Sequence, residues 1–218
     1  SNIRYGPGIT REVGMDLVDL GAKRTLVIVD PALASLAAGE MLIESLRASS
    51  IDYDVFDGVH VEPTDKSFRA AAEVAVNGQF DTIVALGGGS TIDTAKAANL
   101  YSTYPADFFD YVNAPIGKGL PVPGPLKPLI AIPTTAGTGS ETTGVAIFDY
   151  AELHAKTGIA HRYLKPTLGI VDPDNTRTLP PAVAASTGLD VLSHALESYT
   201  AIPFDQRPRP ARPLERPA

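Results

Sequence analysis

Three glycines and a serine, Gly87 to Ser90, stand between the apolar run Thr82 to Leu86 and a helical pattern that continues through Asp93 to Lys96. Backbone without Cβ atoms can lie close to a ligand, and a helix start offers unpaired N–H groups and the positive end of its dipole. The junction therefore reads as a seat for a diphosphate. It is neither Gly-x-Gly-x-x-Gly nor a P-loop, so by itself it specifies a phosphate binder and nothing finer. Ser90 with Asp93 three residues on also fits a capping box, a structural task for both side chains. Asp30 closes the run Thr25 to Val29, where its carboxylate could accept from ribose hydroxyls and repel an added phosphate, or simply open a turn before Pro31. Thr134, Thr135 and Thr138 crowd hydroxyls into the loop after Ile132, suited to a nucleotide or to an ordinary Thr/Gly turn. Asp190 and His194, four apart, share one face of a helix and could grip a cation together or form a plain surface ion pair.

Several chemistries are excluded or disfavoured. With no cysteine there is no disulfide, thiolate metal site or cysteine nucleophile, so a metal would need nitrogen and oxygen ligands. The histidines are His60, His154, His161 and His194, and only the last has a suitable neighbour. A net charge of −7 without a basic cluster before the last residues argues against nucleic acid or an anionic membrane as partner. No apolar run is long enough to span a membrane, and no signal-peptide pattern opens the sequence; the expectation drawn is a cytoplasmic protein acting on small molecules.

The elements that must position these residues follow from periodicity. Thr25–Val29, Thr82–Leu86, Leu129–Ile132 and Thr167–Val171 are short, Val/Ile-rich runs expected to be strands buried on both faces. Between them, Leu33–Ala48 (Leu36, Leu42, Ile43, Leu46) and Phe68–Val76 (Ala72, Val74, Ala75) read as amphipathic helices. Alternation of this kind predicts an α/β fold, a Rossmann-like, doubly wound parallel sheet with ligands at the carboxyl ends of its strands. Gly144–Asp149 and Lys156–Ala160 are expected to form an inserted β-hairpin, and residues 113–128 a Gly/Pro-rich loop. From Pro180 the pattern turns helical, with Gly188 as an interruption and Leu189, Leu192, Leu196 and Tyr199 at helical spacing. Pro203–Ala218, with five prolines and four arginines, is not expected to be helix. The expected domains are an α/β unit over 1–179 and, over 180–218, the beginning of an all-helical domain that is cut short.

Residues 87–96 (GGGSTIDTAK), 133–141 (PTTAGTGSE) and 188–197 (GLDVLSHALE) together resemble the iron-containing (group III) alcohol dehydrogenase family, in that order and spacing. Residues 2–10, 114–119, 140–149 and 156–160 resemble its hydroxyacid-oxoacid transhydrogenase branch. The resemblance implies NAD as cofactor, which makes the unit over 1–179 NAD-binding and the domain begun over 180–218 metal-binding. Asp30 would hold the adenosine ribose, Gly88, Gly89 and Ser90 the diphosphate, and Asp93 the nicotinamide end. Thr134, Thr135 and Thr138 would serve adenine and phosphates, and Lys156 the nicotinamide ribose. It also implies a divalent metal, iron with zinc as the alternative, held by Asp190 and His194 as catalytic residues together with two histidines that the family carries farther along. The implied activity is hydride transfer between a hydroxy acid such as 4-hydroxybutyrate and an oxo acid such as 2-oxoglutarate. A plain NAD-dependent alcohol dehydrogenase and a non-catalytic nucleotide-binding fragment are the alternatives. Lys118, Lys127, Arg162 and Lys165 are candidate partners for substrate carboxylates, and the full-length protein is expected to be a homodimer.

Overall fold

The computed structural model describes residues 1–208; the Pro/Arg positions beyond these lie outside the described residues. In chain order the strands and helices are β1 (Asn2–Tyr5), α1 (Val13–Asp19), β2 (Arg24–Val29), α2 (Ala37–Ala48), β3 (Asp52–Phe56), α3 (Asp65–Asn77), β4 (Thr82–Gly87), α4 (Gly89–Thr103), α5 (Phe108–Tyr111), β5 (Leu129–Pro133), β6 (Val145–Tyr150), β7 (Ala155–Ala160), β8 (Leu168–Val171) and α6 (Pro181–Thr200). Six strands form one parallel sheet in the order β1-β8-β5-β4-β2-β3, and β6 pairs antiparallel with β7 as the expected hairpin.

Alternation along the central strands explains the two-sided burial. Val27, Val29, Val84, Leu86, Ile130 and Ile132 face α1 and α2 in one core cluster. Their neighbours Leu26, Ile28, Ile83, Ala85, Leu129 and Ala131 face α3 and α4 in another. With a side-chain period of two and both faces covered, the positions are apolar apart from buried Thr25 and Thr82, whose hydroxyls hydrogen-bond each other at 2.6 Å. The sheet's edges, β1 and β3, are largely exposed and mix charge with apolar residues, so apolar runs do not outline them. A third cluster, built on Phe68, Leu100, Tyr101, Phe108, Ala146, Phe148 and Ile159, docks the hairpin against α3 and α4.

Some local expectations are corrected. The helix read over Leu33–Ala48 begins only at Ala37, because Leu33 and Leu36 are held in successive turns after Asp30, which leaves Leu36 outside the buried stripe. In α3 the buried stripe is Phe68, Ala71, Ala72 and Ala75, and Val74 turns outward. Gly188 does not interrupt α6: a mid-helix glycine costs about 1 kcal/mol relative to alanine without breaking the ladder. A single 3-10 turn over Phe204–Gln206 forms where no helix was expected. Among the described residues, no helix is long and apolar enough to cross a membrane.

Strand order places the site. From β4 the chain order runs to β2 and β3 on one side and to β5 and β8 on the other, so the connections diverge between β2 and β4. In open α/β sheets this switch point opens a crevice at the carboxyl ends of the strands. Asp30 follows β2 there, and Gly87 ends β4.

Candidate functional site

A cavity of about 1000 Å³ lies at this switch point, and its wall includes Asp30, Gly88, Gly89, Ser90, Asp93, Thr134, Thr135, Thr138, Lys156, Asp190 and His194. Residues scattered over the sequence from position 30 to 194 thus share one concavity, of a size that ligand sites reach.

Its floor is the β4–α4 junction. Gly88 is the extended N-cap of α4, and no side chain caps that helix. The neighbouring β5 loop leaves no room for side chains here. A Cβ on Gly88 would sit 3.2 Å from Thr135 Oγ1, and one on Gly89 2.7 Å from Thr138 Cγ2. One on Gly87 would meet Thr91 Oγ1 at 2.2 Å. The glycines are therefore required by packing as well as by access, and the first amides of a long helix are left facing an open cavity.

The capping-box reading of Ser90 and Asp93 is corrected. Ser90 lies inside the first turn, where its Oγ accepts the Glu62 N–H at 3.3 Å. With one lone pair occupied, its own O–H is free to donate. Asp93 is buried: one oxygen takes a hydrogen bond from Lys96 Nζ at 3.2 Å and the other from the Ile147 N–H at 3.0 Å. The capping box instead sits at Thr64 and Ser67, before α3.

The turn reading of Asp30 is realised, since Oδ1 accepts the Ala32 N–H at 2.9 Å, and the residue also lines the cavity. The Thr134 N–H donates to the Gly87 carbonyl at 3.0 Å and so extends the β4–β5 register into the loop. Thr138 Oγ1 accepts from the Ser140 N–H, which fixes the loop's second turn. Lys156, near the end of the hairpin, pairs with Glu62 at 3.2 Å, both side chains being largely exposed. An exposed pair of this kind is worth about 0–1 kcal/mol, so the lysine is free to change partner.

Asp190 and His194 face each other one turn apart, His194 Nε2 lying 3.8 Å from Asp190 Oδ1. His194 Nδ1 is 3.2 Å from the Gly137 carbonyl, which can only accept, so a hydrogen bond there uses an Nδ1–H and leaves Nε2 on the Asp190 side. Gly137 also lets α6 approach: a Cβ there would lie 3.0 Å from Asp190 Oδ2. The donor chemistry suits a divalent metal, but among the described residues no three His, Asp or Glu side chains gather. Two donors fall short of the three or more protein ligands that catalytic sites use.

Sequence reasoning missed several wall residues. Glu62 sits at φ 54 in the loop before α3 and spans from Ser90 to Lys156, and its residue type carries no signal for either. Val145, Ile147, Leu179 and Val183 supply apolar wall. Asn175 lines the cavity too, its Nδ2 donating to Thr10 Oγ1, which in turn donates to Asp172. The anion candidates Lys118, Lys127, Arg162 and Lys165 are not brought to the cavity; Lys118 pairs instead with Asp110 at 2.6 Å. Lys156 is the one lysine or arginine of the described residues on its wall. His60, His154 and His161 stay away from it, as expected.

Comparison with known proteins follows the same lines. A family model described as iron-containing alcohol dehydrogenase matches residues 1–173. The hydroxyacid-oxoacid transhydrogenases, mitochondrial, of Mus musculus and Homo sapiens are 60% and 57% identical over 220 residues, covering 100% of this chain and 47% of theirs. The chain thus spans about half the length of the curated relatives it matches. Among solved structures, a 1,3-propanediol oxidoreductase superposes with a TM-score of 0.85 at 32% identity, over 94% of this chain and 53% of that one. A sulfoacetaldehyde reductase from Bifidobacterium kashiwanohense, in complex with NAD+, gives 0.82 at 32%, over 91% and 51%. The relatives' mitochondrial names overturn the expectation of a cytoplasmic protein. That expectation rested on a missing targeting pattern, which means little in a sequence covering 47% of such a relative.

Proposed function

The chain belongs to the iron-containing alcohol dehydrogenase family, and on that premise we propose that its cavity binds NAD(H) for a metal-dependent hydride transfer between a hydroxy acid and an oxo acid. The observation that carries this reading is the glycine-floored cavity at the end of β4, in which nucleotide-binding candidates from three strand ends and the hairpin converge.

Each residue has a task set by its chemistry. Gly88 and Gly89 let backbone amides reach the diphosphate, and Ser90 donates its free O–H to it. Asp30 accepts from ribose hydroxyls, and its charge disfavours a 2′-phosphate, which selects NAD over NADP. Thr134, Thr135 and Thr138 serve adenine and the phosphates, while Leu179 and Val183 supply apolar wall. Asp93 serves the nicotinamide end. Lys156 exchanges Glu62 for the nicotinamide ribose. Asp190 and His194 Nε2 supply two ligands of a divalent metal, iron with zinc as the alternative. When bound, the coenzyme supplies the hydride acceptor and donor and the metal a Lewis acid at the substrate oxygen. The domain division at residues 179 and 180 is retained as part of this proposal, as are a homodimeric complete protein and the mitochondrial location carried by the relatives' names.

The complete, metal-loaded protein is to be incubated with 4-hydroxybutyrate and 2-oxoglutarate without added NAD. Formation of 2-hydroxyglutarate is expected. Product only when NAD is added, in catalytic amount because the two half-reactions regenerate it, would point to a plain dehydrogenase that releases its coenzyme, and no product with or without NAD would overturn the oxidoreductase reading.

A further inference from the structure

Lys96 is fully enclosed, and among the described residues no other lysine or arginine is buried. Its ammonium donates to the Val145 carbonyl at 2.7 Å, to Thr143 Oγ1 at 3.2 Å and to Asp93 Oδ1 at 3.2 Å. Asp93 Oδ2 accepts from the Ile147 N–H at 3.0 Å. The two side chains thus sew α4 to β6, the first strand of the hairpin that carries Lys156.

Stability does not account for this arrangement. Taking both charges out of water offsets much of their attraction, and an apolar pair of similar volume often holds two elements as well. Burial pushes the Asp93 carboxyl up and the Lys96 ammonium down, each toward its neutral form. Apolar contact across the same seam is already present, with Phe68 and Phe148 ring centroids 5.4 Å apart and Ala146 and Ile159 in the same cluster. Asp93 itself is not fully closed off: its side chain keeps 12% of its surface and lines the cavity. A carboxylate has roughly four lone-pair directions; Lys96, the Ile147 N–H and the Ser140 side chain use at most three, which leaves acceptor capacity for the open side.

We propose that Lys96 is a positioning residue for the coenzyme. Its three-way anchorage to α4 and β6 blocks rotation of the Asp93 carboxylate and aims its remaining acceptor capacity at an amide N–H at the nicotinamide end of the dinucleotide. The inference rests on the dinucleotide reading above and adds to it the group that aims Asp93. Enclosed behind the wall, Lys96 touches no ligand.

Calorimetry on the complete protein with NAD+, with its 3-acetylpyridine analogue and with ADP-ribose tests this. The analogue keeps the carbonyl and lacks the amide N–H; ADP-ribose lacks the ring altogether. The unaltered protein is expected to prefer NAD+ to the analogue. Lys96→Met should lower NAD+ affinity by about tenfold, to the level of the analogue, while ADP-ribose affinity stays within about twofold. Thr143→Val keeps the ion pair and removes one acceptor of the ammonium. It should shift the same ratio by about threefold, and it serves if Lys96→Met does not fold. An unchanged NAD+-to-analogue ratio in the variants, or equal weakening of ADP-ribose and NAD+, would overturn the proposal. Failure of the unaltered protein to bind either NAD+ or ADP-ribose would sink the dinucleotide reading itself, and this inference with it.

Discussion

The β4–α4 junction and helix α6 both present chemistry-bearing side chains to one cavity, yet they are built in opposite ways. α4 is enclosed from Thr91 to Tyr101 between α3, the sheet and the hairpin, so its first turn, open to the cavity on one side, is held by the packing behind it. α6 is longer, and none of its residues is buried. Its contact with the loop after β5 runs through Gly137, against Thr187, Asp190 and His194. A site part made from the first kind of element has its geometry imposed by the core. In the second kind, Asp190 and His194 are fixed toward each other by helix spacing but only lightly toward the rest of the cavity. The proposed nucleotide seat is thus the preorganised half of the site, and the proposed metal pair the half whose placement depends on little else in the described chain.

Breaking the enclosed region gives the largest expected effect. Leu86→Ala in β4 removes a fully buried side chain and should cost about 2–5 kcal/mol in urea unfolding, with NAD affinity falling alongside. A loss below about 1 kcal/mol would mean that the core does not hold the seat as described.

Next comes the anchor at the end of β8. Burial would raise the Asp172 carboxyl, but hydrogen bonds from the Gly8, Thr10 and Asp174 amides and the Thr10 hydroxyl bring it below its ordinary value of 3.8. A depressed folded pKa contributes stability above the ordinary value and loses it as pH falls through the folded one. Asp172→Asn should therefore cost about 1–3 kcal/mol at neutral pH. The gap to the unaltered protein should narrow below pH 3.8, read from melting temperature against pH. A gap constant across the acid range would remove the carboxylate from this account.

Asp30→Gly sharpens the comparison at the seat without touching the core. It should weaken NAD about tenfold and leave NADP affinity equal or improved, and equal losses would deny Asp30 its ribose role. The smallest effect belongs to α6. Leu192 is 55% exposed, so Leu192→Ala should change the stability of this 218-residue chain by less than about 0.5 kcal/mol. A loss as large as that of Leu86→Ala, measured in a longer chain, would show that further residues cover this face.

Much of the fold was legible because the central strands are buried twice. A strand covered on both faces carries apolar residues almost throughout, and Thr25–Val29, Thr82–Leu86 and Leu129–Ile132 stand out for that reason. Edge strands such as Asp52–Phe56 face water and look like loop. The glycines after β4 were legible for a related reason, being backbone with no room for a Cβ. Glu62 was not, because its part in the site comes from its backbone N–H on Ser90 and from a hairpin residue 94 positions away.

Residue types and short spacings were enough to establish an alternating α/β chain, a glycine-lined strand-to-helix junction at Gly87 to Ser90 and a carboxylate and imidazole on one helical face. Those are local properties, governed by side-chain period and by what a backbone without Cβ permits. The folded chain alone decided that Asp93 is no cap but one end of a buried pair with Lys96, that Lys156 rather than Lys118, Lys127, Arg162 or Lys165 reaches the cavity, and that Ser90 is braced by Glu62. Each of these turns on which distant segments the sheet and hairpin bring within hydrogen-bond reach, and no spacing along the chain encodes that.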